Sequence, residues 1–318
     1  MFRKTVIAVS NLPTASQFLH WGAQLTRTLQ SDLTVLYVSH TSHLGPLHLS
    51  VTAEKMAEWG VEPPSFRLLR EAEALLKAEG ALQLDERGQV VMRHSFKDIG
   101  QGVGEVHLKG IHQEDIRLRL REGPVVAQVL KEAEDPSYDL IFIGTRGQRG
   151  LGRNLLGNVA HDVALRAPCS VLVTKNLDKA RAVLIGVTDR PSSGEAVVQG
   201  LALAKALELP LRLIAIAPLP QHRTQAQALL DATLQLIATM DYEAEAILKE
   251  GDPARALIET AGEDHVLALG RAPMSLVRKV FLGDISQKIL ERGRCSVFIA
   301  VPPRRGLGVE GPDRTVTL

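Results

Sequence analysis

Apolar positions in this chain follow two patterns in alternation. Short unbroken runs, "TVIAV" (Thr5–Val9), "LTVLYV" (Leu33–Val38) and "DLIFIG" (Asp139–Gly144), predict strands buried on both faces, as in a parallel sheet. Between them, "ASQFLHWGAQLTRTLQ" and "PVVAQVLKEAE" carry apolar residues at helical spacing. "IRLRLREG" alternates apolar residues with arginine, which predicts a strand with one open face. A helix is expected from about Leu155 to Arg166, followed by the strand "SVLVT". Five strands with intervening helices make a doubly wound α/β layer. "AVLIGV", "LRLIAIA", "EAEAILKEG", "HVLALG" and "SVFIAV" repeat the series further on.

The second series aligns with the first without gaps in two blocks. At an offset of 178, Val9 falls on Val187, Asn11 on Asp189, Pro13 on Pro191 and Gly22 on Gly200. At an offset of 126, Gly144 falls on Gly270, Gly157 on Gly283, and Cys169-Ser170-Val171 on Cys295-Ser296-Val297. Two blocks in one order imply two copies of one domain. They divide near Lys175–Ala180: domain one spans 1–175, domain two 182–303, and 304–318 reads as a flexible tail. The fall in offset gives the first copy about fifty extra residues between His40 and Ile116. Within them, "LLREAEALLKAEG" reads as a helix and "GQVVMRHSFKDIGQGVGEVHLKG" as a hairpin with a glycine-rich turn.

Composition narrows the class. The 318 residues are 45% hydrophobic, 23% charged and 4% aromatic, with a net charge of +1. No global field draws nucleic acid or an anionic membrane, and no apolar run reaches membrane-spanning length. The short apolar N-terminus reads as a strand rather than a signal peptide, so the expected location is cytoplasmic. Two cysteines, Cys169 and Cys295, supply neither a disulfide framework nor a metal-ligand pattern, and read as buried small hydrophobes.

The candidate chemistry lies after "DLIFIG". Gly144-x2-Gly147-x9-Gly157-Asn158 joins the end of a buried strand to the start of a helix. Free helix N–H groups and glycine backbone suit a phosphate, and Arg146, Arg149 and Arg153 add charge. The P-loop lysine is absent, and so is G-x-G-x-x-G after the first strand. The second copy reads Gly270-x2-Pro273-x9-Gly283-Asp284. Pro273 has no N–H to donate and Asp284 repels phosphate, with Arg271, Arg278 and Lys279 as a partial offset.

This spacing resembles the nucleotide-binding signature of the universal stress protein family, G-x2-G-x9-G-[ST]. "APCSVLV" and the amide or acid ending the first strand are similar too. The likeness covers about Phe2–Lys175 and Ala182–Pro303. It implies two tandem five-stranded parallel-sheet domains of the adenine-nucleotide alpha-hydrolase-like kind, strand order 3-2-1-4-5. It also implies an intramolecular pseudo-dimer through "SVLVT" and "SVFIAV", with a homodimer as a further option. The implied ligand is an adenine nucleotide, ATP with AMP or ADP as alternatives, held by Ser10, Asn11, Val38, Gly144, Arg146, Gly147, Gly157 and Asn158. Phosphates would lie on the glycine loop and the base near the ends of the first two strands. Asn11 and Asn158 depart from the usual Asp and Ser/Thr.

The resulting expectation is a stress-response regulatory protein that binds nucleotide in the first domain, the second being largely non-binding. The alternative is an adaptor acting through protein partners, and an enzyme on the same fold is a weaker third reading. No catalytic base stands out, although slow ATP hydrolysis stays open. His161 and Asp162 are adjacent on a helix and diverge. His40, His43 and His48 follow no zinc spacing, and no metal ligands are assigned.

Overall fold

The computed structural model describes residues 2–9, 12–39, 64–100, 102–135, 137–145, 157–271 and 284–303. The first half runs β1 (Lys4–Val9), α1 (Leu12–Leu29), β2 (Asp32–Ser39), α2 (Pro64–Ala78), β3 (Met92–Asp98), β4 (Val103–Lys109) and β5 (Asp115–Glu122). It continues with α3 (Val125–Ala133), β6 (Leu140–Gly144), α4 (Asn158–Arg166) and β7 (Ser170–Thr174). The second half runs β8 (Ala182–Gly186), α5 (Pro191–Leu207), β9 (Leu211–Ala217), α6 (Arg223–Ala238) and β10 (Ala244–Glu250). It ends with α7 (Pro253–Ala261), β11 (His265–Gly270), α8 (Asp284–Arg292) and β12 (Ser296–Ala300).

All twelve strands form one sheet, in the order β10-β9-β8-β11-β12-β7-β6-β1-β2-β5-β4-β3. Pairing is parallel among β8–β12, and among β1, β2, β5, β6 and β7. The two arrays meet where β12 and β7 pair antiparallel, Phe298 opposite Leu172. The two last strands thus join the halves within a single sheet.

Each face of the sheet carries its own core. On one side α1, α2, α5 and α6 pack through Leu19, Leu76, Leu203 and Leu230. On the other, α3, α4, α7 and α8 pack through Val129, Val163, Leu257 and Ile289. Strand alternation feeds both: Leu140 and Phe142 face the first core, Ile141 and Ile143 the second. The first core is continuous across the junction, where Phe2 meets Phe298 edge to face at 6.0 Å. The repeated glycines of α1 and α5 let each helix lie on its strand. A Cβ on Gly22 would fall 2.1 Å from Ile7 Cδ1, and one on Gly200 2.7 Å from Ile185 Cδ1.

The extra residues of the first half divide in an unexpected way. Helix α2 packs with α1, β2 and β5, the crossover place that α6 holds beside β9 and β10. It is a counterpart of α6 rather than an insertion. The added structure is the β3–β4 hairpin, with a turn at Gly100 and Gly102, both at positive φ. β4 pairs antiparallel along the whole of β5 and extends the sheet at that edge. At the opposite edge β10 is uncovered and carries Glu245, Lys249 and Glu250; β3 itself breaks register twice against β4.

Strand β5 corrects a second expectation. Its arginine face is not open. Arg121 donates through Nε to Glu132 of α3 at 2.8 Å, and Arg119 pairs with both Glu132 and Glu105. Tyr138 donates its hydroxyl hydrogen to Glu132 and accepts from Thr34 Oγ1 at 2.8 Å. Burial disfavours the Glu132 carboxylate, but Arg119, Tyr138 and Arg121 together hold its pKa below the usual range. Burial and the Glu132 charge push the Tyr138 hydroxyl well above its ordinary value.

Two cations cross between the halves. Buried Arg271, just after β11, donates to the Ala164, Leu165 and Ala167 carbonyls at the C-terminal end of α4. Lys175, just after β7, donates to Leu290 O at 3.0 Å and Gly293 O at 2.5 Å, closing α8. Each half thereby caps the other's last helix, satisfying carbonyls that have no partner within the helix. Arg271 is therefore not available to offset Asp284 in the second glycine loop.

Two stability changes are expected in urea unfolding. Arg271→Ala strands three carbonyl groups and costs about 2–3 kcal/mol. Glu132→Ala leaves the buried Arg121 guanidinium without its carboxylate and Arg119 with Glu105 alone, and costs about 3–5 kcal/mol. A loss below half a kcal/mol in either variant contradicts the assigned contacts.

Candidate functional site

In the first half, β1 lies between β2 and β6, and the chain reverses its order of strand addition there. Such a reversal opens a crevice at the carboxyl ends of the strands. Four of the sequence-chosen residues lie at that end: Val38 near the end of β2, Gly144 ending β6, and Gly157 and Asn158 at the start of α4. Ser10, Asn11, Arg146 and Gly147 lie outside the described residues, as do Arg149, Arg153, Pro273 and Gly283.

The two ends of the glycine-rich connection are close together. A Cβ on Gly157 would stand 3.0 Å from Thr145 O. Thr145 is held in turn by Thr174 O, which accepts from Thr145 N at 3.2 Å and Oγ1 at 3.3 Å. Gly157 is the N-cap of α4, with extended φ −68° and ψ 145°, and as a glycine it has no side chain with which to cap the helix. His161 N donates to Gly157 O, which starts the helical ladder. The first-turn N–H groups, with the positive end of the helix dipole, are the anion-binding feature of this end. Asn158 beside them is exposed. Val38 is buried in the core beneath α3 and α4, so its side chain contributes to the floor of this region.

Gly144 and Gly270 hold equivalent places for different reasons. A Cβ on Gly144 would collide with the Phe18 ring of α1 at 2.2 Å. One on Gly270 would fall 1.8 Å from the backbone oxygen of Ser192, in the first turn of α5. Both glycines are thus required by packing, whatever binds beyond them. Asp189, the second-half counterpart of Asn11, is exposed.

Among the remaining sequence candidates, Cys169 and Cys295 are buried and unbridged. Burial pushes the Cys295 thiol up to about 11, which removes it as a nucleophile at neutral pH. His161 Nδ1 and Asp162 Oδ1 are 3.7 Å apart, beyond hydrogen-bond reach. His40, His43 and His48 lie outside the described residues. One cluster was missed. His94 of β3 and Glu105 and His107 of β4 each present a ligand atom, all within 4.8 Å of one another. Its signal was present as Glu105-x-His107, the two-residue spacing that puts both side chains on one face of a strand.

The universal stress protein family matches residues 1–175 and, a second time, 179–301. The chain belongs to the universal stress protein family. It is a tandem member, with one copy of the domain in each half. Universal stress protein YxiE of Bacillus subtilis is 23% identical over 175 residues, covering 55% of this chain and 100% of that protein. Universal stress protein MJ0531 of Methanocaldococcus jannaschii is 37% identical over 109 residues, covering 33% of this chain and 58% of that protein. A universal stress protein structure from Archaeoglobus fulgidus superposes with a TM-score of 0.62 at 16% identity, covering 94% of this chain and 98% of that one. A second, from Pseudomonas aeruginosa, gives 0.55 at 14% identity, covering 94% and 93%. At those identities the likeness is one of fold, and it spans both halves. No helix among the described residues is long and apolar enough to cross a membrane.

The two packing glycines are distinguishable by rescue. Gly144→Ala meets a side chain, so Phe18→Leu in the same molecule should recover most of the lost stability. Gly270→Ala meets backbone, and no side-chain change at Ser192 should recover it. Urea midpoints of the single and double variants decide this; rescue at Gly270, or none at Gly144, contradicts the contacts.

Proposed function

We propose that this tandem universal stress protein is a nucleotide-responsive regulatory module that holds one adenine nucleotide, ATP in preference to AMP or ADP, in its first half. The observation that carries this reading is the start of α4. A helix opening on Gly157 with no side-chain cap, at the strand-order reversal, offers backbone donors to a phosphate. The sequence between Gly144 and Gly157 supplies Gly147 and three arginines. Val38, near the end of β2, lies on the side from which the base would approach, and Ser10 and Asn11 follow β1 in the sequence. The second half lacks this chemistry: Pro273 removes an N–H, Asp284 adds a negative charge, and Arg271 is committed to α4. Occupancy of the first half would alter the surface shown to a protein partner. This activity requires no catalytic residue, and a cytoplasmic setting supplies the nucleotide.

The test begins with mass spectrometry of nucleotide released from gently denatured protein, followed by calorimetric titration with ATP. About one nucleotide per chain is expected. Asn158→Asp places at α4 the residue that Asp284 supplies in the second half. It should lower ATP affinity at least about tenfold, while a carboxylate in the first turn leaves the helix as stable or more so. Absence of nucleotide and of heat with ATP would transfer support to the adaptor reading, in which the hairpin carries partner contacts.

A further inference from the structure

We propose that the β3–β4 hairpin of the first half holds a divalent transition metal, zinc being the best match, through His94, Glu105 and His107. This is independent of the nucleotide reading, because the hairpin lies at a sheet edge with β1, β2 and β5 between it and β6.

The ligand set comes from pairing register. His94 stands opposite His107, and Glu105 lies two residues along β4 on the same face. The three ligand atoms are mutually within 4.8 Å. His94 Nε2 and Glu105 Oε1 are 3.4 Å apart. Two ligands each about 2.0–2.1 Å from a tetrahedral zinc stand about 3.3 Å apart, so this pair already has the spacing of coordinated atoms. Two imidazoles and one carboxylate, with a solvent position left over, suit zinc better than magnesium or calcium, which prefer all-oxygen shells.

The surrounding groups orient each ligand. His94 Nδ1 lies 2.9 Å from Ser95 O, a pure acceptor, so Nδ1 carries the hydrogen and Nε2 of the neutral ring keeps its lone pair. That lone pair faces the Glu105 oxygen, another acceptor. Two facing acceptors need a proton or a cation between them. His107 Nε2 lies 3.0 Å from Asp115 Oδ1, and a neutral ring donating there keeps its lone pair on Nδ1. Asp115 is fixed by Arg117 at 2.8 Å and Arg93 at 3.0 Å. Arg119 Nε holds Glu105 through Oε2 at 2.5 Å, which leaves Oε1 toward His94. A backbone carbonyl on one ring nitrogen and a carboxylate on another are the partners that metal-bound histidines use. The histidine side chains are 21% and 12% exposed, so the cluster is enclosed yet reachable. A bound ion would cross-link β3 to β4 in the segment where β3 breaks register.

The experiment uses tag-free full-length protein stripped with chelator. Zinc titration by calorimetry, with cobalt as an absorbance probe of tetrahedral geometry, is compared among wild type, His94→Gln, His107→Gln and the double variant. About one zinc per chain is expected, with affinity at least about tenfold weaker in each single variant and unchanged unfolding midpoints in chelator. Absence of zinc binding in the wild type overturns the proposal, and the imidazolium–carboxylate pair then accounts for the cluster. Equal zinc binding by wild type and double variant overturns it too, because the ion then sits elsewhere. Should the variants fail to fold, wild-type protein is treated with diethyl pyrocarbonate with and without zinc. Zinc-dependent protection of both His94 and His107 supports the site, and its absence rejects it.

Discussion

The antiparallel contact of β7 with β12 is the constraint on which the rest of this molecule depends. Each half alone would end in a strand with unpaired backbone groups on one side. Pairing those strands joins two five-stranded parallel arrays into one sheet, with a core continuous across the junction on each face. The polar surroundings follow from this contact. Ser170 Oγ accepts from Val301 N at 2.9 Å, and Gln199 donates to Val301 O at 2.8 Å, which fastens the exit of β12 beside β7. The two caps by Arg271 and Lys175 are possible only because α4 and α8 end on the same side of this contact. The junction thus sets the helix ends as well as the strands.

Much of this was legible in the chain. The repeat gave the number of halves, the continuous apolar runs gave the succession of buried strands along each, and the order of those strands in the sheet came from the family resemblance. The hairpin was visible from its glycines and from alternation. The helix after the glycine loop was expected from about Leu155 and is described from Asn158. What escaped were contacts between elements distant in sequence. "IRLRLRE" looked half-solvated because nothing local shows that α3 covers its arginines. The clue lay elsewhere: Glu132 occupies the same buried stripe of α3 as Val129 and Ala133, a place for an apolar residue unless a cation waits opposite. Arg271 was read as part of a phosphate loop because it follows Gly270, and only the joined sheet shows α4 within its reach. Helix α2 was counted as inserted because the alignment loses register there, although its packing is that of α6.

The two glycines that end β6 and β11 hold equivalent places under different constraints. Gly144 and Gly270 answer to steric demands from α1 and α5, so their presence says little about ligand binding. At Gly157 the chain returns to contact Thr145 and opens a helix. Within the family signature, then, the first glycine is required by packing, and the last opens α4 beside Thr145.

The outer edges of the sheet have a consequence of their own. A sheet that grows by joining strand to strand offers the same invitation to any extended neighbour, including a second sheet. β10 answers with Glu245, Lys249 and Glu250, whose charges would have to be desolvated by an added strand. β3 answers with two register breaks, which spoil the straight row of donors and acceptors that a newcomer needs. A strand added at either edge would therefore meet charge at β10 or a broken register at β3.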